Sequence, residues 1–137
     1  MKAGVARQYP KLLHNDDYTS VVNGRNYERL QGYLADVREK GAELIEVNPA
    51  GEDFDSSNGN KMPLTIVRNV TEDMKVMQEE IFGPILPIMP YRSEDELIRY
   101  VNRHERPLAL YYFGDESEER RKIISRSEER RVGKECL

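Results

Sequence analysis

Cysteine is almost missing from this chain: the single thiol, Cys136, is the penultimate of 137 residues. No internal disulfide can form, and a reducing cytoplasm is the expected compartment. A penultimate residue in a charged tail also lacks the partly buried, electropositive pocket that stabilises a thiolate, so Cys136 is read as non-catalytic. Histidine is scarce as well. His14 and His104 lie far apart in sequence, with no cysteine or carboxylate at ligand spacing, and no metal site is expected. No apolar run approaches the length of a membrane span, and the N-terminus lacks the charged-then-apolar layout of a signal peptide. Basic residues are not in excess: 21 Lys and Arg face 25 Asp and Glu, with the signs interspersed. That balance excludes the basic stripe that nucleic acid requires. Asn69-Val70-Thr71 matches a glycosylation sequon, which has no weight without a secretion signal.

What remains is a chain sized for one domain, which should bury roughly two thirds of its unfolded surface. With 38% hydrophobic and 34% charged residues, its core is small for its length. NYERLQGYLADVREK, residues 26–40, places Tyr27, Leu30, Leu34 and Val37 near one helical face, and Gly41 follows where a cap belongs. AELIEV (42–47) alternates as a strand, and NPAGEDFDSSNGN (48–60) is a polar surface loop. PLTIVRNV (63–70) and ILPIMPY (85–91) are further strands, the latter interrupted by prolines that suggest an edge. SEDELIRYVNRH (93–104) is a helix opening on a capping box of Ser93 and Glu96. LALYYFG (108–114) is the strongest strand by composition, and DESEERRKIIS (115–125) is a charged helix. Strands alternating with helices predict an α/β domain with a mostly parallel sheet flanked by helices.

The candidate sites are few. Asp53, Asp55 and Ser57 have the odd-position spacing of a calcium loop, but Asn58 stands where glycine is needed and Leu64 where glutamate is needed. A polar loop is the reading. Tyr111, Tyr112 and Phe113 could stack on bases, but with no basic residues nearby they read as a core strand. Glu79 and Glu80, in MQEEIFGPILP, raise the sharper question. Adjacent side chains diverge in either a strand or a helix, so these two cannot form an acid/base dyad. At most one faces a site; by themselves they would decorate a solvated turn.

Taken together, VMQEEIFGPILPIMPY and VNRHERPLALYYFG resemble the aldehyde dehydrogenase superfamily, in the later part of its catalytic domain. DDYTSVVNGRNYERLQGYLADVREKGAELIEVNPAGEDF and KMPLTIVRNVTEDMKVMQEEIFGP are most similar to its coniferyl aldehyde dehydrogenase and class-three-like branch. The resemblance runs from about Arg7 to Ser125. It implies a partial catalytic domain from an enzyme that oxidises an aldehyde to its acid with NAD or NADP, working as a cytoplasmic homodimer. It further implies that Glu80 accepts hydrogen bonds from the nicotinamide ribose, as an acceptor-only carboxylate suits two neighbouring hydroxyls. Phe82 would lie near the nicotinamide ribose and help position the ring, with Gly83-Pro84 making the turn that presents both. The family's nucleophilic cysteine, general-base glutamate and phosphate-binding half have no counterpart here, so no catalytic residue is assigned and the chain alone is expected to be inactive. The other reading is a stand-alone α/β binding or interaction module.

RSEERRVGKEC (Arg126–Cys136) resembles one reading frame of a common DNA-sequencing adapter, starting where the family pattern lapses. Residues 1–125 are therefore expected to be the dehydrogenase fragment and 126–137 an artefactual tail. A charged helix extension is the plain alternative. Met1 is expected to be internal to a longer frame.

Overall fold

The structure, a computed structural model, describes residues 2–57, 59–105, 107 and 109–126. They fall into two compact units, one ending at Met89 and the other beginning at Pro90. The first contains α1 (Lys2–Gln8), α2 (Gly24–Glu39), β1 (Glu43–Val47), β2 (Leu64–Arg68), α3 (Lys75–Gln78) and β3 (Ile85–Ile88). The second contains α4 (Glu94–Arg103) and α5 (Glu118–Arg126).

The α/β class is observed. The small sheet has the order β1-β2-β3 and is mixed. β1 runs antiparallel to β2, with Ile45 opposite Ile66, whereas β2 and β3 are parallel, with Thr65 opposite Ile85. The polar connection over 48–63 simply returns the chain beside itself, so the first pairing comes out antiparallel. A parallel pair needs a crossover, and residues 69–84 with α3 supply it. The central strand carries the consequence of its position. Thr65, Ile66 and Val67 are buried in succession, as befits a strand covered on both faces.

α2 is the helix on which the site is built. Asn23 caps it, its side chain accepting from the Asn26 amide at 2.9 Å. Gly41, with φ of 80°, lies just past its end in the left-handed region that glycine enters without a Cβ clash. The buried residues are Leu30, Tyr33 and Val37, at helical spacing, and they join Val21, Met62, Val67, Met74, Val76 and Ile85 in one core. Tyr27 and Leu34 pack at its margin. Tyr33 rather than Leu34 occupies the centre because its hydroxyl finds polar partners there, which lets a phenol be buried whole. Asn23→Ala removes the cap and is expected to cost about 1 kcal/mol, read as a lowered unfolding midpoint.

Outside α2 and the sheet, one carboxylate ties down the N-terminal segment. Glu52, from the loop after β1, accepts from the amides of Leu12, Leu13 and His14 at 2.6, 3.0 and 3.4 Å. Those bonds, the Leu12 amide foremost, hold its carboxyl below the ordinary glutamate range.

In the second unit the capping box at α4 is present in a shifted form. Ser93 Oγ accepts from the Glu96 amide at 3.3 Å, but the Glu96 carboxylate reaches the Arg92 amide, one residue earlier than the motif requires. Lys122 of α5 contacts Glu94 and Asp95 at 2.8 and 3.1 Å, and Arg126 contacts Asp95 at 3.0 Å. The acidic first turn of α4 is thus neutralised from α5, although pairs this exposed contribute little each.

The strand expected over 108–114 is not there. The described residues of that stretch, 109–114, have no regular structure, and Tyr111 and Phe113 are 78% and 93% exposed. A β-prone run becomes a strand only where another strand accepts its hydrogen bonds, and no described segment does so here. The adapter-like tail, apart from Arg126 at the end of α5, lies outside the described residues.

Candidate functional site

Between α3 and β3 the chain makes a turn with no regular hydrogen-bonding pattern. Glu79 leaves α3 in an extended conformation, with φ of −126° and ψ of 153°. Phe82 then adopts a φ of 51°, the left-handed region that a bulky side chain enters only when its surroundings impose it. Pro84 ends the turn by accepting from the Thr65 amide at 2.8 Å, which delivers the chain into register as β3.

The surroundings that impose this geometry belong to α2. The Arg29 guanidinium donates through Nη1 to the Glu80 carbonyl and through Nη2 to the Ile81 carbonyl, both at 2.8 Å. The Nη1 atom also donates to the Tyr33 hydroxyl at 2.7 Å, and the guanidinium sits 5.0 Å from the centre of the Tyr33 ring. That hydroxyl donates onward to Glu79 Oε2 at 2.7 Å. Burial pushes the Tyr33 phenol above its usual range and the Glu79 bond adds to the rise, so it stays protonated as a donor. Leu30, one residue along the helix, lies directly beneath Gly83; a Cβ on Gly83 would overlap the Leu30 Cδ1 methyl. Glycine is required there by close approach rather than by dihedral angle.

The turn settles how the two glutamates divide. Glu79 is drawn back toward α2 by Tyr33. Glu79 and Glu80 are both exposed, and Phe82 is 77% exposed despite its size. Phe82, Gly83 and Pro84 form one side of an open cleft of about 290 Å³, whose other side is the stretch Tyr18–Val22. That second wall is anchored: the Tyr18 hydroxyl donates to the Met62 carbonyl at 2.8 Å and the Val21 amide to the Asn60 carbonyl at 3.0 Å. Burial pushes the Tyr18 phenol up to about 12, with Tyr9 contributing, which makes it a structural donor and not a base.

A cleft edged by an exposed ring, with an exposed carboxylate two residues before that ring in the chain, can hold a ligand that offers hydroxyl donors and a flat apolar face. It cannot perform covalent or acid/base chemistry alone: the turn holds no thiol, and its two carboxylates diverge. The turn carries Glu80, Phe82, Gly83 and Pro84, the residues named from the sequence. Sequence reasoning missed Arg29 and Tyr33. Their only signal was the i,i+4 spacing of a cation and a phenol on one helix, which is common on solvated surfaces.

Comparison with known proteins agrees in sequence and in three dimensions. Residues 5–134 match the profile of the Aldehyde dehydrogenase family, a match that extends through most of the adapter-like stretch. A probable coniferyl aldehyde dehydrogenase of Caulobacter vibrioides is 50% identical over 126 residues, covering 92% of this chain and 26% of the relative. Among solved structures, Staphylococcus aureus AldH in a substrate-bound state superposes with a TM-score of 0.76 at 30% identity, over 91% of this chain and 26% of that one. Aldehyde dehydrogenase C of Pseudomonas syringae, a mutant solved with NAD+ and octanal, superposes with a TM-score of 0.64 at 27% identity, over 76% and 21%. The chain thus spans about a quarter of the length of the curated relatives it matches. With the profile covering nearly every residue, the chain belongs to the aldehyde dehydrogenase family.

Proposed function

We propose that this segment forms the nicotinamide-facing wall of an NAD(P)-dependent aldehyde dehydrogenase that oxidises coniferyl aldehyde, or another aromatic or fatty aldehyde, to its carboxylic acid. The observation that carries the reading is the turn itself: Glu79 is bonded to Tyr33 of α2, Glu80 is exposed, and the exposed Phe82 ring lines an open cleft. The identity to a coniferyl aldehyde dehydrogenase supports the substrate class, and the relative solved with NAD+ and octanal supports the cofactor. The family resemblance further supports a cytoplasmic homodimer as the working form.

The donor set suits the cofactor. Glu80 presents acceptor lone pairs only, matching the paired hydroxyls of a ribose, and the Phe82 ring offers an apolar surface to a nicotinamide. When bound, the cofactor supplies the hydride acceptor for oxidation of the aldehyde carbon. The chain's own part is orientation: Glu80 fixes the ribose, Phe82 limits how the ring tilts, and Gly83-Pro84 sets the distance of both from β3.

Glu80→Gln in the full-length enzyme keeps the shape and one carbonyl acceptor but removes the charge and an acceptor oxygen. The Michaelis constant for the cofactor is expected to rise about tenfold, corresponding to about 1.4 kcal/mol, with that for aldehyde unchanged. Unchanged cofactor affinity would remove Glu80 from the site.

A further inference from the structure

The presentation of Glu80 is not a property of its own sequence neighbourhood. The turn has no internal ladder, and Phe82 occupies a left-handed conformation that costs free energy for a phenylalanine. Something outside the turn must over-determine it, and the only polar side chains bonded to its backbone or to Glu79 among the described residues come from α2.

The bonds are specific in kind. Arg29 spans two successive carbonyls, Glu80 and Ile81, with separate nitrogens at equal 2.8 Å distances. A planar fork bridging adjacent carbonyls fixes the orientation of the peptide planes between them, which a single bond leaves free to rotate. Tyr33 uses both capacities of its hydroxyl, accepting from Arg29 and donating to Glu79. Because the chain is extended at Glu79, drawing that side chain toward α2 sends the next one the other way.

We infer that Arg29, Tyr33 and Glu79 form a positioning relay that aims the Glu80 carboxylate and the Phe82 ring at the cofactor. None of the three touches the cofactor; each acts through the turn. The inference rests on the reading of Glu80 as a cofactor ligand. It assigns to Glu79 a role different from that of its neighbour, since its carboxylate is the last acceptor of the chain Arg29 to Tyr33 to Glu79.

The test is a double-mutant cycle in the full-length dehydrogenase with Tyr33→Phe, Glu80→Gln and the pair combined, measuring cofactor and aldehyde Michaelis constants, kcat and thermal midpoint. Tyr33→Phe alone is expected to raise the cofactor constant about fivefold, the weight of one net hydrogen bond, and to leave the aldehyde constant unchanged. Combined with Glu80→Gln, it should add clearly less than its fivefold effect alone, because one of the two groups it aims has already lost its charge. If Tyr33→Phe lowers the thermal midpoint but leaves the cofactor constant alone, the residue is only structural and the inference is overturned. Full additivity with Glu80→Gln overturns it as well. A Glu80→Gln enzyme with unaltered cofactor binding sinks the underlying reading first, and the relay with it. Should Tyr33→Phe fail to fold, Glu79→Ala cuts the same link from an exposed position and is expected to reproduce the several-fold rise. Arg29→Lys gives an independent arm. An ammonium cannot bridge both carbonyls in a plane, so charge retention should not rescue cofactor binding.

Discussion

Leu30→Ala is expected to lower stability by about 3 kcal/mol, in the range found for leucines truncated inside well-packed cores. Leu30 is fully buried, at the contact of α2 with the core. Truncation leaves a cavity there and also removes the floor on which Gly83 rests. The complementary change, Gly83→Ala, drives a methyl group into Leu30 and is expected to cost about 1–3 kcal/mol. Combined, the two should cost less than their sum, since the new methyl enters space that the shortened side chain has vacated. Thermal unfolding of the four proteins of this cycle decides the matter. Simple additivity would mean that Leu30 and Gly83 do not bear on each other.

The purified 137-residue chain, for its part, is expected to reduce no cofactor with any aldehyde. Aldehyde oxidation through a thioester requires a thiolate at the carbonyl, and the only thiol in the sequence is Cys136, beyond the turn that the site is built on. Orientation without a nucleophile yields no covalent step. The same preparation is expected to self-associate. Leu86, Ile88 and Met89 on and beside β3 are all partly open to solvent, and among the described residues β3 pairs on one side only. An unpaired apolar strand edge recruits another. Size-exclusion chromatography across a concentration series reads this directly: a single monomer peak with a cooperative melt would contradict it, as would any turnover.

Much of the fold was legible because its signals are local. The α2 periodicity, the glycine past its end, the polar loop after β1 and the serine cap of α4 each depend on a few adjacent residues. Two short helices, α1 and α3, carried no comparable signal, since seven and four residues give too few turns for a period to show. LALYYFG failed for the opposite reason. Its composition is strongly β-prone, yet a strand is a relation between two segments, and one segment cannot state whether the other is beside it. The same limit applied to the site. Glu80 and Phe82 are proposed from a contiguous block that resembles a family, whereas Arg29 and Tyr33 lie 51 and 46 residues before their partners Glu80 and Glu79. Contacts that distant leave no trace in spacing.

The guanidinium that grips the turn has one more property. It grips the backbone carbonyls of Glu80 and Ile81, and a carbonyl carries no proton to lose. Neither acceptor is a group whose charge can change. The grip on the turn is thus a matter of peptide geometry, and what disturbs it is displacement of helix or turn and not a change in the charge of its acceptors.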